Sequence, residues 1–407
     1  MSAVLAEKPK HFPLRRRTGT AAFHLSKEAV DFGSEDLERL TDLGAVRFVA
    51  KLLWGSYTEM PCPHCGTIDE HYWRRKELRW KCRGCGKTFS VTSGTVFADR
   101  KLPLKKILKI VFAWANGASG KPALQLRRDW NVSYTTVFTL VQKLREGLVR
   151  GFNTGVLCGE HEMDGMDING RRYREKRNKP QGGGKPTGKP KIPAHLLKPK
   201  EEAEPFVGPP DLPKHGKTAR QPADRRILLV MRQRGVAPRL GAMATRVGVA
   251  LRESTATVTT MATRFASAES RFNTDEDPAY AAFAKLFADH KAVSHSETYS
   301  LPDGTNNNQA ESFNWRMRRS AEGVYLSASN KYLADYAVEN AWREDTRRLS
   351  TGKKLRYLLR VALGVGLSLW WRGYRQGKHR TFEMLVDGEQ PAKGRGRAKG
   401  AKPKVPC

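Results

Sequence analysis

Four cysteines in two short pairs constrain this chain more tightly than any other feature. Cys62-Pro-His-Cys65 and Cys82-Arg-Gly-Cys85 give the spacing C-x2-C-x16-C-x2-C. A turn that holds two thiolates three positions apart aims both at one tetrahedral cation, and a second such turn completes the shell. Gly66 and Gly86 follow the second thiolate of each pair, where the chain must turn back. Tyr72, Trp73, Leu78 and Trp80 supply hairpin residues between the pairs, and Lys87–Ser93 continues as a strand. The pattern predicts a zinc ribbon whose Zn²⁺ is structural, because Cys62, Cys65, Cys82 and Cys85 leave no coordination position open. His64 and His71 are alternative ligands, but the four thiolates already fill the shell. Six cysteines in 407 residues are too few for a disulfide framework. Cys158 reads as a buried strand residue, and Cys407 as an exposed terminal thiol with no implied role.

Charge narrows the partner. Lys and Arg number 73 against 41 Asp and Glu, a net of +32. Such an excess costs self-repulsion and contributes nothing to a core, so it points to a polyanion, with nucleic acid ahead of a membrane surface. The longest uncharged apolar run, Val361–Trp371, is far short of the roughly 18 residues that a spanning helix needs. Met1–Lys10 has no apolar stretch of the kind a signal peptide carries. With hydrophobic residues at 39% plus 36 glycines, the chain can bury an ordinary core. The expectation is a soluble, intracellular protein that faces nucleic acid and has no membrane partner.

The segments divide by composition. Residues 1–33 read as a basic flexible arm and 34–58 as an N-terminal helix, starting at Glu35 behind Ser34. Residues 59–98 form the ribbon and 99–150 a helix-turn-helix. Leu104, Ile107, Leu108, Val111 and Phe112 follow helical spacing. Pro122 suits the first turn of a second helix, and Asn131-Val132 make a short turn. Ser133 then caps a third helix whose buried stripe is Val137, Leu140, Val141 and Leu144. Tyr134, Thr135, Thr136, Thr139, Lys143 and Arg145 are left facing out, as major-groove recognition would require. Residues 171–226 hold 10 of the 22 prolines and 16 basic against 6 acidic side chains, and read as a flexible insertion. Residues 351–407 are an extension ending in a basic tail.

Acids in the second half follow a particular order. Glu162-Met-Asp164-Gly-Met-Asp167 comes after the apolar Val156-Leu157-Cys158, as at a strand end. Arg226–Arg234 and Thr245–Leu251 read as strands, with a helix over Met261–Ala268. Arg271-Phe-Asn-Thr-Asp275 reads as a short strand ending in an acid, and Glu311 opens an amphipathic helix. Carboxylates delivered by separate elements can hold two Mg²⁺ for in-line phosphoryl transfer.

These motifs together resemble the zinc-ribbon-bearing DDE transposases of bacterial insertion sequences. The matching stretches are Glu162-Met-Asp164, Asn273-Thr-Asp275, His290-Lys-Ala-Val-Ser-His295-Ser, Asn308-Gln-Ala-Glu311-Ser-Phe, Gly323-Val-Tyr325 and Glu339 to Arg343. They cover about two thirds of the chain: 45–150, 157–170 and 226–347. The resemblance implies a multidomain α+β chain: zinc ribbon, helix-turn-helix, then an α/β RNase H-like domain with a mixed sheet over 151–350, interrupted by 171–226. It implies that Asp164, Asp275 and Glu311 bind two catalytic Mg²⁺, with Mn²⁺ able to substitute. Arg318, with Arg319 beside it, stands where the family has a lysine, suited to a DNA phosphate. Asn308 orients Glu311, contacts DNA or caps its helix. The implied activity is cleavage at terminal repeats and 3′-hydroxyl strand transfer into target DNA by a homo-oligomer on double-stranded DNA. Two departures, Gly165 where the family has a second acid and the long insertion, motivate another reading: a non-catalytic DNA-binding regulator on a retired transposase fold. Asp167 stands near Gly165. His161, His290 and His295 are read as structural ahead of general bases or ligands.

Overall fold

A computed structural model describes residues 23–168, 225–235, 241–294, 300, 303–326 and 328–388. Expectations placed on the first part of the basic arm, on 171–224 of the insertion, on His295 and on the 391–407 tail lie outside the described residues.

The N-terminal helix is two helices. Ser34 belongs to α1 (Ser34–Arg39), and the backbone N–H of Gly33 donates to Asp36 Oδ2 at 2.7 Å. Leu40 is extended, and Thr41 then caps α2 (Asp42–Trp54), its Oγ1 accepting from the Gly44 N–H at 3.0 Å. A β-branched hydroxyl at that position favours a new N-cap over a continuous helix. The ribbon pairs β1 (Glu59–Pro61) with β2 (Ile68–Glu70), then β3 (Tyr72–Arg74) with β4 (Arg79–Lys81) and β5 (Thr88–Phe89). Trp80 and Phe89 meet Trp54 edge-on at 5.8 and 6.4 Å, joining the ribbon to α2 through aromatic burial.

Three helices follow at the expected places: α3 (Leu104–Ala115), α4 (Ala123–Trp130) and α5 (Tyr134–Gly151). Pro122 is the N-cap of α4 and not a first-turn residue. Asn131 takes a left-handed φ of 45°, and Ser133 Oγ accepts from the Thr136 N–H. Val137, Leu140, Val141 and Leu144 are buried.

Five strands form a mixed sheet in the order β10-β9-β6-β7-β8. β6 (Glu160–Ile168), β7 (Arg226–Arg234) and β8 (Ala242–Ala250) are antiparallel neighbours, while β9 (Arg271–Asp275) and β10 (Asp289–Val293) run parallel to β6. Residues 161–168 pair directly with 226–233, so 169–225 connects two adjacent strands of one sheet. Alternation along β7 splits its side chains between two cores. Ile227, Leu229 and Met231 pack with Met163 and with Val258 and Met261 of α6 (Thr255–Phe265). Leu228 and Val230 join Met166, together with Phe313 and Met317 of a long helix on the other face.

Beyond α7 (Phe283–Leu286) come that helix, α8 (Asn308–Gly323), then α9 (Leu333–Thr346) and α10 (Thr351–Gly364). The core on the α8 face runs on into Trp114, Leu140 and Leu144, so ribbon, three-helix module and sheet share one apolar interior. The extension after 350 belongs to it as well. α10 lies so close to α5 that a side chain at Gly147 would collide with Ala362. Further on, Arg380 forms a buried ion pair with Asp335, and the Val386 N–H donates to the Val249 carbonyl at 2.8 Å. No helix among the described residues is long and apolar enough to cross a membrane.

Candidate metal centre and nucleic-acid surface

The two cysteine turns are built alike. The Cys62 N–H donates to Thr67 O and that of Gly66 to Cys62 O; the Cys82 N–H donates to Lys87 O and that of Gly86 to Cys82 O. Gly66 and Gly86 take φ of 78° and 69°, the left-handed region that favours glycine. All four sulfurs lie within 4.8 Å of one another, with Cys62–Cys85 at 3.8 Å and Cys65–Cys82 at 3.6 Å. Tetrahedral ligation at about 2.3 Å per Zn–S bond requires sulfurs about 3.8 Å apart, so the donor set fits Zn²⁺. Burial pushes the Cys62 thiol up to about 11, while hydrogen bonds from Thr67 bring Cys65 down to about 6. His71 is not a spare ligand. It is buried, with Nε2 on the Met60 carbonyl at 3.0 Å and Nδ1 facing the Arg83 N–H.

The carboxylates come from three elements. Asp164 lies in the middle of β6, not at a strand end, but the β6–β9 ladder stops at Glu162–Asn273, just short of it. Extending that register sets Asp164 beside Asp275, the last residue of β9, and parallel neighbours in register share a face. Glu311 sits in the first turn of α8. Burial raises Asp164 to about 7, with Asp275 and Glu311 both adding to the effect. Asp164 therefore lies within electrostatic reach of both other acids, while among the described residues only the four cysteines bring three or more donor atoms within 4.8 Å of one another.

Several groups that sequence reasoning missed hold this arrangement. Glu162 shares the Asp164 face of β6, and its Oε2 accepts from the N–H groups of Gln309 and Ala310 at 2.5 and 3.1 Å. A buried carboxylate thus caps the helix that carries Glu311. Asn314, one turn beyond Glu311, donates from Nδ2 to Asp164 Oδ2 at 2.7 Å, and Asn307 donates to the Met163 carbonyl at 3.3 Å. The spacings i−2 on the strand and i+3 on the helix were the available signals. Asn308 itself is exposed, so the orienting contacts belong to its neighbours. Glu253, just before α6, also borders the site: burial raises it to about 7, with Asp164, Asp275 and Asp277 adding to this. Its Oε1 accepts from the Tyr280 hydroxyl at 2.6 Å.

The histidines have structural partners. His161 is buried against Ser270 Oγ at 3.2 Å and lowered to about 4 by desolvation; His290 faces Thr274 Oγ1 at 2.9 Å. Cys158 is exposed, not buried.

The expected DNA-facing residues separate. Tyr134 is exposed at the start of α5 and stacks on Phe138. Thr135 and Thr136 are half-buried, with Thr136 Oγ1 accepting from Arg375 at 2.6 Å. Lys143 is half-buried, and desolvation lowers it. Arg145 does not face out. It is 3% exposed, ion-paired with Glu339 at 2.7 Å and stacked on Tyr336. The reason is the C-terminal packing: α9 and α10 cover the face of α5 that spacing alone left open. Arg318 and Arg319 are exposed on α8, with the Arg319 guanidinium over the half-exposed Trp315 ring.

Residues 200–345 match the family model of the ISXO2-like transposase domain, and residues 40–88 that of the transposase zinc-ribbon domain. The first match contains Asp275 and Glu311 and begins after Asp164; the second contains all four ribbon cysteines. No curated protein and no solved structure matches the chain.

Proposed function

We propose, from the matches to a transposase domain and a transposase zinc ribbon, that the chain is a zinc-ribbon-bearing DDE transposase that cuts DNA at the ends of its element and joins the freed 3′-hydroxyl to target DNA. The observation that supports this reading is that Asp164 on β6, Asp275 at the end of β9 and Glu311 in the first turn of α8 come from separate elements, with Asp275 and Glu311 both within electrostatic reach of Asp164. Strand order β10-β9-β6-β7-β8, with an antiparallel half and a parallel half, supports an RNase H-like catalytic domain.

Three carboxylates are a hard oxygen donor set that suits Mg²⁺ or Mn²⁺, as the thiolates suit Zn²⁺. Asp164, Asp275 and Glu311 would hold the ion, whose chemistry there would be activation of the attacking water or 3′-hydroxyl and stabilisation of the leaving oxygen. The chain's own groups supply position. Glu162 fixes the start of α8 against β6, and Asn314 holds one Asp164 oxygen. Arg318 and Arg319 offer guanidinium groups to DNA phosphates along the same helix. Tyr134, Thr135 and Thr136 form the part of α5 able to meet a groove, and the positive excess supplies sequence-independent attraction. Concerted work at two ends calls for a homo-oligomer on DNA.

The test is incubation of the protein with DNA flanking its own gene, with and without Mg²⁺, beside Asp275→Ala. Discrete metal-dependent ends and joined strands, absent in the variant, are expected. Tight binding without cleavage under any divalent metal makes the protein a regulator on a retired fold. Cleavage without joining makes it a nuclease.

A further inference from the structure

Two stretches that the catalytic reading leaves without a part, Gly323-Val-Tyr325 and Glu339 to Arg343, meet at one carboxylate. Glu339 of α9 is fully buried. Its Oε2 accepts from Arg145 Nε on α5 at 2.7 Å. Its Oε1 accepts from the Tyr325 hydroxyl at 2.5 Å and from Arg343 Nη2 and Nε at 2.7 and 3.0 Å. Arg343 also reaches the end of α3, donating to the carbonyls of Trp114, Ala115 and Gly117 at 2.9, 3.2 and 2.7 Å. The last carbonyls of a helix have no partner inside it, so this guanidinium closes α3 and fixes the α3–α4 turn. The far end of α8 holds the same turn: Ser320 Oγ donates to the Ser119 carbonyl at 3.0 Å. Gly120 takes φ of 106°, and a Cβ there would collide with the Tyr325 hydroxyl, so the turn lies flush on Tyr325.

Three parts are thereby tied together: the α3–α4 turn, α5 with Tyr134 exposed at its start, and α8 with Glu311 in its first turn. From Glu311 to Ser320 the helix runs about 14 Å at 1.5 Å per residue, so the acid and the tie sit on one rigid element. A buried carboxylate shared by two guanidiniums leaves a charge unpaired if either shifts, which holds the joint to one geometry. We propose that Glu339 is a positioning residue that locks the three-helix module to α8 and so sets which phosphate of a bound DNA end reaches Asp164, Asp275 and Glu311. The inference rests on the DDE reading above, with α5 as the helix that grips DNA. Glu339 meets neither DNA nor a reacting atom. It acts through Arg145, Tyr325 and Arg343, by fixing the distance between grip and cut.

The test uses the zinc-loaded, full-length protein on end-labelled DNA flanking its own gene, with Mg²⁺ and with every cut mapped to the nucleotide. Glu339→Gln keeps the shape of the joint and removes its charge. Tyr325→Phe combined with Ser320→Ala frees the end of α8 while leaving Glu339 both of its arginines, and carries the test if Glu339→Gln does not fold. Wild type should cut at one phosphate of each end. The variants should bind the same DNA as tightly as wild type, yet cut at several neighbouring phosphates. Their rate should fall on the order of a hundredfold, the scale for a misplacement of about 1 Å. A part in folding alone would lower the unfolding midpoint and all rates together without moving the cut. Cuts at the wild-type phosphate in both variants, at whatever rate, would therefore overturn the proposal and leave the DDE reading standing. A wild-type protein that binds this DNA and cuts nothing refutes both.

Discussion

The ribbon and the carboxylate centre solve one problem, gathering like-charged ligands, in opposite ways. The ribbon draws its four thiolates from two turns inside 24 residues of chain, each turn fixed by its own backbone bonds. The proposed carboxylate centre draws on residues 164, 275 and 311, which stand on separate elements and meet only through the folded sheet domain. The ribbon can therefore form with its metal and has little reason to exist without it. The carboxylate centre is held by cores on both sheet faces, so its fold does not depend on the ion. A site whose metal is the fold is rigid and closed; a site built by the fold can leave positions open for substrate.

Zinc removal should give the largest effect. Structural Zn²⁺ contributes about 10–16 kcal/mol in comparable modules, so Cys82→Ser or a strong chelator should melt the ribbon. Loss of Trp80 burial, followed by fluorescence, would report it. Mg²⁺ withdrawal should leave the thermal unfolding of the sheet nearly unchanged; equal sensitivity of both regions would break the contrast.

Arg145→Ala comes next. Removing one member of a buried ion pair costs about 3 kcal/mol, here near the low end because Arg343 and Tyr325 remain on Glu339. The expected outcome in chemical denaturation is a lower midpoint with little change in nonspecific DNA affinity. A loss of DNA binding with full stability would return Arg145 to the surface.

The smallest effect expected is from Glu162→Ala. It frees the N–H groups of Gln309 and Ala310, for about 1–2 kcal/mol of stability. The desolvation that raises Glu162 to about 7 offsets part of the lost bonding. Cleavage should fall further than stability because α8 also carries Glu311. Parallel losses would reduce Glu162 to a plain helix cap.

Legibility followed the same divide. Local signals read well: the C-x2-C pairs, the Ser133 cap, the β9 strand ending in Asp275. Asp164, Asp275 and Glu311 were legible as an order of acids and a resemblance, not as a geometry. Glu162 and Asn314, which position α8 and Asp164, could not be found that way, because only the fold brings strand and helix together. Arg145 misled for a related reason. Its helical position is polar-facing within the three-helix module, and the covering surface comes from Glu339, some 194 residues later.

The most direct test of the central claim is anomalous diffraction from the protein with Zn²⁺ and Mn²⁺ both supplied, collected at both metal edges. Zinc is predicted at the four thiolates alone, and manganese at the carboxylates, as two ions about 3.5–4 Å apart between Asp164, Asp275 and Glu311. Manganese absent from the carboxylates at saturating concentration, with zinc still in the ribbon, would contradict the account.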